Sequence, residues 1–82
     1  MHPYKDNDNI RTFSKNTKKL ELVWHRDEED RNIEILEGKG WKMQFDDELP
    51  FALFEGDNIF IKRHRIHRIH KGTTDLKIKI NG

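Results

Sequence analysis

The side chains in this sequence with the widest chemistry are its histidines and the carboxylates near them. There are five histidines and no cysteine, so disulfides, thiolate metal sites and cysteine nucleophiles are excluded. The G-x-S-x-G pattern of serine hydrolases, the phosphate-binding P-loop and the H-E-x-x-H zinc motif are also absent from the sequence. Metal binding by imidazole and carboxylate is the chemistry that these residue types leave open.

The spacing of the histidines limits which of them can share a site. His25 and Asp27 are two residues apart, so on an extended strand both side chains face the same side. His64, His67 and His70 are three apart, and on a strand that spacing places His67 opposite the other two. We therefore expect His64 and His70 at the surface, since a site using all three would need a helix.

Alternating apolar and polar residues predict short β-strands along the chain. Residues 32–36 and 76–80 alternate most clearly. Further strands are predicted at residues 10–13, 20–24, 41–45, 51–54 and 58–61, and one that begins at His67. Gly38 and Gly40 predict a tight hairpin between the strands at 32–36 and 41–45. No window sustains helical spacing with caps, so an all-β antiparallel sandwich or barrel is expected.

The length and composition indicate one small domain with a thin core. The chain has 82 residues, of which 33% are hydrophobic and 38% charged, near the lower size limit for an independent core. Residues 1–16 are polar and are predicted to form a flexible or loosely held N-terminal arm with one short strand. Residues 17–82 are predicted to form the single folded domain. Small domains often gain stability by association, so we expect a homodimer.

The charges are segregated although the net charge is only +1. Residues 24–57 carry four basic and eleven acidic side chains, whereas residues 58–82 carry seven basic and one acidic. The two segments can neutralise each other within one chain or across a dimer. Nucleic-acid binding is not expected, because no aromatic residues are interleaved in the basic run. No apolar run reaches membrane-spanning length and the start lacks signal-peptide character, which favours a cytoplasmic location.

The segment from Gly56 to Lys71 resembles the second motif of the cupin family, G(X)5PXG(X)2H(X)3N. Gly56 stands at the opening glycine and His67 at the metal-binding histidine. Lys62, His64 and Lys71 replace the proline, the second glycine and the asparagine. The spacing is kept while three marker residues differ.

An earlier segment resembles the first cupin motif, G(X)5HXH(X)3,4E(X)6G. Gly38 fits the final glycine, and counting back places Arg31 at the glutamate. Asp27 stands at the second histidine, His25 at the first, and Lys19 at the opening glycine. Both motifs therefore occur in the right order.

The resemblance covers residues 20–80 and extends to small phage and bacterial cupin-like proteins. It includes a Trp-His-Arg-Asp-x-x-Asp-Arg core, a Gly-Trp strand and a His-Arg-x-x-Lys-Gly-x-x-Asp-Leu ending. It implies a small antiparallel cupin-like β-barrel or jelly roll formed by residues 17–82. It also implies that His25, Asp27 and His67 bind a divalent metal, for which Fe, Mn, Zn and Ni are the candidates.

Arg31 is the departure that leaves two interpretations of this site. A guanidinium at the position of a metal-binding glutamate would repel a cation and would pair naturally with Asp27. The site is therefore either a metal centre or a structural Asp27–Arg31 ion pair with His25 hydrogen-bonded nearby.

The aromatic residues are expected mainly in the core, with one or two at the mouth of the barrel, where small-ligand pockets occur. They are Trp24, Trp41, Phe45, Phe51, Phe54 and Phe60. Arg31, Trp41 and Phe60 are the candidate ligand-binding residues, because a guanidinium inside a barrel suits a carboxylate, phosphate or sugar.

Two functions of different classes follow. The first is a minimal cupin-like module that binds a small polar or anionic ligand in the barrel, with or without a divalent metal. The resemblance admits isomerases and dioxygenases, so enzymatic activity is left open. The second is a non-enzymatic structural or interaction module, phage-associated, with a solid core and charged assembly faces. A shared fold does not decide between them.

Overall fold

Seven β-strands and no α-helix form in the computed structural model, which describes residues 9–16 and 22–81. The strands are β1 (Ile10–Phe13), β2 (Arg31–Glu37), β3 (Lys42–Phe45), β4 (Phe51–Ala52), β5 (Asn58–Ile61), β6 (His67–His70) and β7 (Leu76–Ile80). All strand pairs are antiparallel. The prediction of an all-β antiparallel fold is confirmed.

The strands form two sheets. The first has four strands in the order β1-β7-β2-β5, and the second has three in the order β4-β3-β6. Alternation explains the central strand β7, in which Leu76, Ile78 and Ile80 are buried while Lys77 and Lys79 are half-buried on the other face. Each sheet therefore has one apolar face available for packing.

One hydrophobic core joins the two sheets. Ile33 and Ile35 of β2 pack in the same cluster as Met43 and Phe45 of β3, and Trp41 is completely buried. The prediction that the aromatic residues are core is right for Trp41 and Phe45, and Phe51 is half-buried against them. It is wrong for three others, which are exposed: Trp24, Phe54 and Phe60.

The predicted hairpin at Gly38 and Gly40 is also wrong, because β2 and β3 belong to different sheets. Both glycines have positive φ angles, 147° and 80°, and they redirect the chain from one sheet to the other. This crossing places Trp41 in the core, where its indole N–H donates to the Thr74 carbonyl at 2.6 Å. Gly72 packs so closely on this segment that a Cβ atom would collide with backbone atoms of Trp41 and its neighbours.

The strand predicted at residues 20–24 does not form in its described part, residues 22–24; residues 20 and 21 lie outside the described residues. Leu22 packs against the core. The Val23 carbonyl accepts a hydrogen bond from the His25 ring instead of a strand partner. The guanidinium of Arg68 lies over the Trp24 ring, 4.8 Å from the centroid of that ring.

The N-terminal segment contributes to the larger sheet. β1 pairs with β7 over four residue pairs, from Ile10 with Lys79 to Phe13 with Leu76. The rest of the predicted arm includes residues 1–8, which lie outside the described residues. In the part of the chain that the structure describes, no helix has the length and apolar character needed to cross a bilayer.

Candidate metal centre

His67 is a buried imidazole at the start of β6. Only 3% of the residue is exposed, and it faces inward with Ile69 because residues two apart share a face of the strand. Its Nδ1 lies 2.6 Å from the Arg65 carbonyl. Since a carbonyl only accepts, Nδ1 carries the proton and donates, which leaves the Nε2 lone pair directed away from the backbone.

His25 is held beside His67 by its backbone. The two residues exchange backbone hydrogen bonds of 3.0 and 2.9 Å in an isolated antiparallel bridge. Their ring centroids are 4.5 Å apart, with an interplanar angle of 60°. The His25 Nδ1 donates to the Val23 carbonyl at 2.8 Å, which leaves its Nε2 as the ring nitrogen that can contact a ligand.

Asp27 completes a group of three metal-ligand side chains. Its Oδ2 lies 3.5 Å from the Nε2 of His67, and the ligand atoms of His25, Asp27 and His67 all lie within 4.8 Å of one another. Atoms bound to one metal at about 2.1 Å are separated by about 3 Å. Small side-chain rotations would therefore bring the three atoms to bonding distance, and the donor set fits a divalent transition metal.

The electrostatics of His67 favour a ligand rather than an ion pair. Burial lowers the pKa of His67, and the nearby His25 and Arg65 lower it further, against the Arg65 carbonyl and the Asp27 carboxylate, which raise it. Burial thus favours the neutral ring, in which the Nε2 lone pair faces the Asp27 carboxylate at 3.5 Å. Two electron-pair donors in contact repel each other unless a proton or a cation lies between them.

The loop that carries Asp27 is anchored to the turn before β6. The backbone carbonyl of Asp27 accepts from the His64 N–H at 2.8 Å, and the Asp30 carboxylate accepts from the Arg63 N–H at 2.8 Å. The His64 ring lies 3.3 Å from the Glu28 carboxylate. These contacts fix the backbone at Asp27. Ion pairs between the acidic and basic segments within one chain form elsewhere, from Arg65 to Asp47 and Glu48 and from Lys77 to Glu37.

The outlying histidines have different environments. His64 is exposed, as predicted, with 55% of its side chain accessible. His70 is half-buried rather than on the open surface, and its Nε2 lies 3.0 Å from the Gln44 side-chain oxygen. Neither belongs to the group of three ligand residues.

The three ligand residues line a cavity of about 80 Å³ between the sheets. Arg31 lines the same cavity, but the predicted Asp27–Arg31 ion pair is not formed, because the Asp27 carboxylate instead contacts His67. The structure does not bring the other two candidate ligand-binding residues there. Trp41 lies at the other end of β3, and Phe60 lies on the outer face of β5 with 54% of the residue exposed.

Sequence reasoning missed two further residues of the cavity wall. Arg11 and Phe13 of β1 line it as well. The alternation in residues 10–13 carried a signal for their shared inward face, since residues two apart point the same way. The carbonyls of Val23 and Arg65, which orient the two imidazoles, have no sequence signal because every residue has a carbonyl.

No family model, no curated protein and no solved structure matches the chain. The cupin resemblance of the two motifs therefore stays a prediction.

Proposed function

We propose that this protein is a small cupin-like module that binds a divalent metal through His25, Asp27 and His67. A small polar or anionic ligand binds beside the metal in the same cavity. The observation that carries the proposal is the convergence of three ligand atoms within 4.8 Å of one another, in a cavity between two sheets.

The orientation of the imidazoles supports metal binding over a purely structural cluster. Metal-binding histidines usually donate their second ring N–H to a carbonyl or carboxylate, which fixes the ring and its tautomer. Both His25 and His67 make this bond, to Val23 and Arg65. Their Nε2 atoms are thereby prepared for a cation before it arrives.

The donor set suits Fe, Mn, Zn or Ni, since imidazole and carboxylate are ligands that these divalent ions share. Three protein ligands leave coordination positions open, and a metal bound there would act as a Lewis acid toward a ligand in the cavity. His25 and His67 hold the metal through Nε2, and Asp27 supplies the one negative charge among the three ligands.

The cupin-like barrel is the architecture that we assign to the two sheets. Its support is the position of the three ligand residues on the inner side of the fold, where His67 shares the inward face of β6 with Ile69. The spacing of the two motifs in the sequence agrees with that arrangement.

A second candidate is the interaction module without a metal. Three exposed apolar side chains favour it, namely Leu49, Phe54 and Phe60, at 85%, 66% and 54% exposure. Under this alternative the histidine cluster is structural and the exposed side chains contact a partner, which for a homodimer is a second copy of the chain.

Isothermal titration of purified protein with Zn²⁺, Co²⁺ and Mn²⁺ tests the metal site. We expect one equivalent to bind, with at least about a tenfold loss of affinity in Asp27→Asn and in His25→Gln, because each removes one ligand atom. At a free metal concentration of 100 times Kd, binding should raise the free energy of unfolding by about 2.7 kcal/mol.

His64→Gln is the matched control, because His64 is a nearby histidine outside the ligand group. It should bind metal as the wild type does. Absence of stoichiometric binding in the wild type would favour the interaction module. An equal loss of affinity in His64→Gln would place the metal elsewhere.

A further inference from the structure

Arg31 is a cationic side chain that lines the same cavity as the His25, Asp27 and His67 group. It lies on the same face of β2 as the buried Ile33 and Ile35, and it is half-buried. Among residues 9–16 and 22–81, no hydrogen bond, ion pair or ring contact involves its guanidinium. A guanidinium has five donors and no acceptor, so this position is suited to an anion.

Three acidic residues just before Arg31 in the sequence make contacts elsewhere. The Asp30 carboxylate accepts from the Arg63 backbone N–H, and Glu28 contacts His64. Asp27 faces the two imidazoles rather than the guanidinium. Among residues 9–16 and 22–81, no carboxylate forms an ion pair with Arg31.

The charges of the metal-loaded site are unbalanced. A divalent cation, one carboxylate, one guanidinium and two neutral imidazoles around this cavity sum to about +2. Excess charge beside apolar walls is costly unless an opposite charge accompanies it. An anion that contacts both the metal and Arg31 would restore the balance.

Resting on the proposed metal site, we propose that the cavity binds a small carboxylate between Arg31 and the metal, and that the two bind cooperatively. The carboxylate class is favoured because its two coplanar oxygens match the guanidinium fork. A tetrahedral oxyanion would direct further oxygens at apolar walls such as Ile33 and Ile61, whereas a short alkyl group packs there.

The cavity limits the size of this carboxylate. Its volume is about 80 Å³, roughly half of the about 150 Å³ of an engineered protein cavity that binds benzene. An acid of a few non-hydrogen atoms, in the range of formate to propionate, fits that space. A bulky aromatic acid such as benzoate does not.

Cooperative binding is reciprocal: acetate raises the affinity for metal by the same factor by which metal raises the affinity for acetate. Titration of Zn²⁺ into the protein, in chloride and in acetate at equal ionic strength, measures this factor. We expect acetate to tighten Zn²⁺ binding by about tenfold or more, within the usual range of coupling between sites. Acetamide, which has the shape of acetate without its charge, should have no effect, and benzoate should have little.

Variants of Arg31 test whether this side chain couples acetate binding to Zn²⁺ binding. Arg31→Met should remove the acetate effect and leave Zn²⁺ binding in chloride equal or tighter, because a nearby positive charge is lost. Arg31→Lys keeps the charge without the fork, so it should retain part of the effect. Arg63→Met is the matched control, since Arg63 is exposed and does not line the cavity. Circular dichroism of each variant checks that it is folded.

The outcomes separate this proposal from the metal site on which it rests. Zn²⁺ affinity that acetate does not change, or an acetate effect that persists in Arg31→Met, would overturn the carboxylate site and leave the metal site standing. Absence of Zn²⁺ binding in both chloride and acetate would overturn both. Weak binding of Zn²⁺ by acetate in solution acts equally on all variants, so the comparison with Arg63→Met removes it.

Discussion

The two ends of the three-stranded sheet each bury an aromatic ring that carries a polar nitrogen. At one end, the tryptophan end (Trp41, Gly72 and Thr74), Trp41 is 0% exposed. At the other, the histidine end (His25, Asp27 and His67), His67 is 3% exposed. Lys42 pairs with His70 and Phe45 with His67, so the strand β3 separates the two ends.

The polar groups of the tryptophan end find partners in the chain. The Trp41 indole N–H donates to Thr74, and the Trp41 carbonyl accepts from the Leu53 N–H at 2.9 Å. The Lys39 carbonyl accepts from the Thr73 N–H at 2.9 Å. A buried ring with satisfied hydrogen bonds and close packing contributes to stability.

The polar groups of the histidine end are only half satisfied. Each imidazole uses Nδ1 on a carbonyl, while the Nε2 of His67 faces the carboxylate of Asp27 at 3.5 Å. That contact is an ion pair only if the His67 ring is protonated. The polar groups of the tryptophan end are therefore all hydrogen-bonded within the chain, whereas the histidine end brings together three side chains that could hold a metal ion.

The largest difference in stability between the two ends should come from replacing Trp41 and, for comparison, Trp24 beside His25. Trp41→Ala should lower the free energy of unfolding by about 3–5 kcal/mol, because it removes a fully buried ring and leaves a cavity. Trp24→Ala, next to His25, should cost about 1 kcal/mol or less, since that ring is 43% exposed and mainly contacts Arg68. Urea unfolding followed by far-UV circular dichroism measures both.

If Trp41→Ala is unfolded without urea, Trp41→Phe gives a measurable version of the same change. If Trp24→Ala lowers the free energy of unfolding as much as Trp41→Ala does, the difference between the two ends is contradicted, because the region beside His25 would then contribute equally to stability.

The close packing of Gly72 gives a smaller effect at the tryptophan end. Gly72→Ala places a Cβ against the Lys39 carbonyl and the Trp41 backbone, and overpacking of this kind costs about 1–3 kcal/mol. The midpoint of urea unfolding should fall accordingly, with metal affinity unchanged. Gly72→Ala with wild-type stability would show that this segment shifts easily and is not tightly packed.

The strands could be predicted from the sequence because alternation reports local geometry. Residues 32–36 and 76–80 fall within β2 and β7, where successive side chains point to opposite faces of the sheet. Strand pairing was not encoded locally. Gly38 and Gly40 permit a hairpin and a crossing between sheets equally well, and the burial of Trp41 in a shared core decides between them.

The candidate site was partly predictable for the same reason. The period of two placed His25 and Asp27 on one side, although they lie in a loop rather than a strand. The partner of Asp27 was not predictable, because the choice between Arg31 and His67 depends on the turn that brings β6 beside residue 25. The homodimer stays a prediction.

The pH dependence of stability should report the histidine end specifically. Burial lowers the pKa of His67 in the folded protein below its ordinary value near 6.5, so the unfolded chain takes up the proton first as the pH falls. The contribution of His67 to the free energy of unfolding is therefore fully present above about pH 6.5 and decreases as the pH falls below that value. Burial also lowers the pKa of His70, which adds in the same direction.

In metal-free protein with chelator present, the urea midpoint should therefore fall between pH 7.5 and pH 5.5. His67→Gln should reduce this fall, leaving the part due to His70, and the exposed His64→Gln should leave it unchanged. A midpoint that rises over this range would mean that protonated His67 is stabilised by Asp27 as an ion pair. The histidine end would then be satisfied by its own chain, as the tryptophan end is, and the case for a bound cation would be lost.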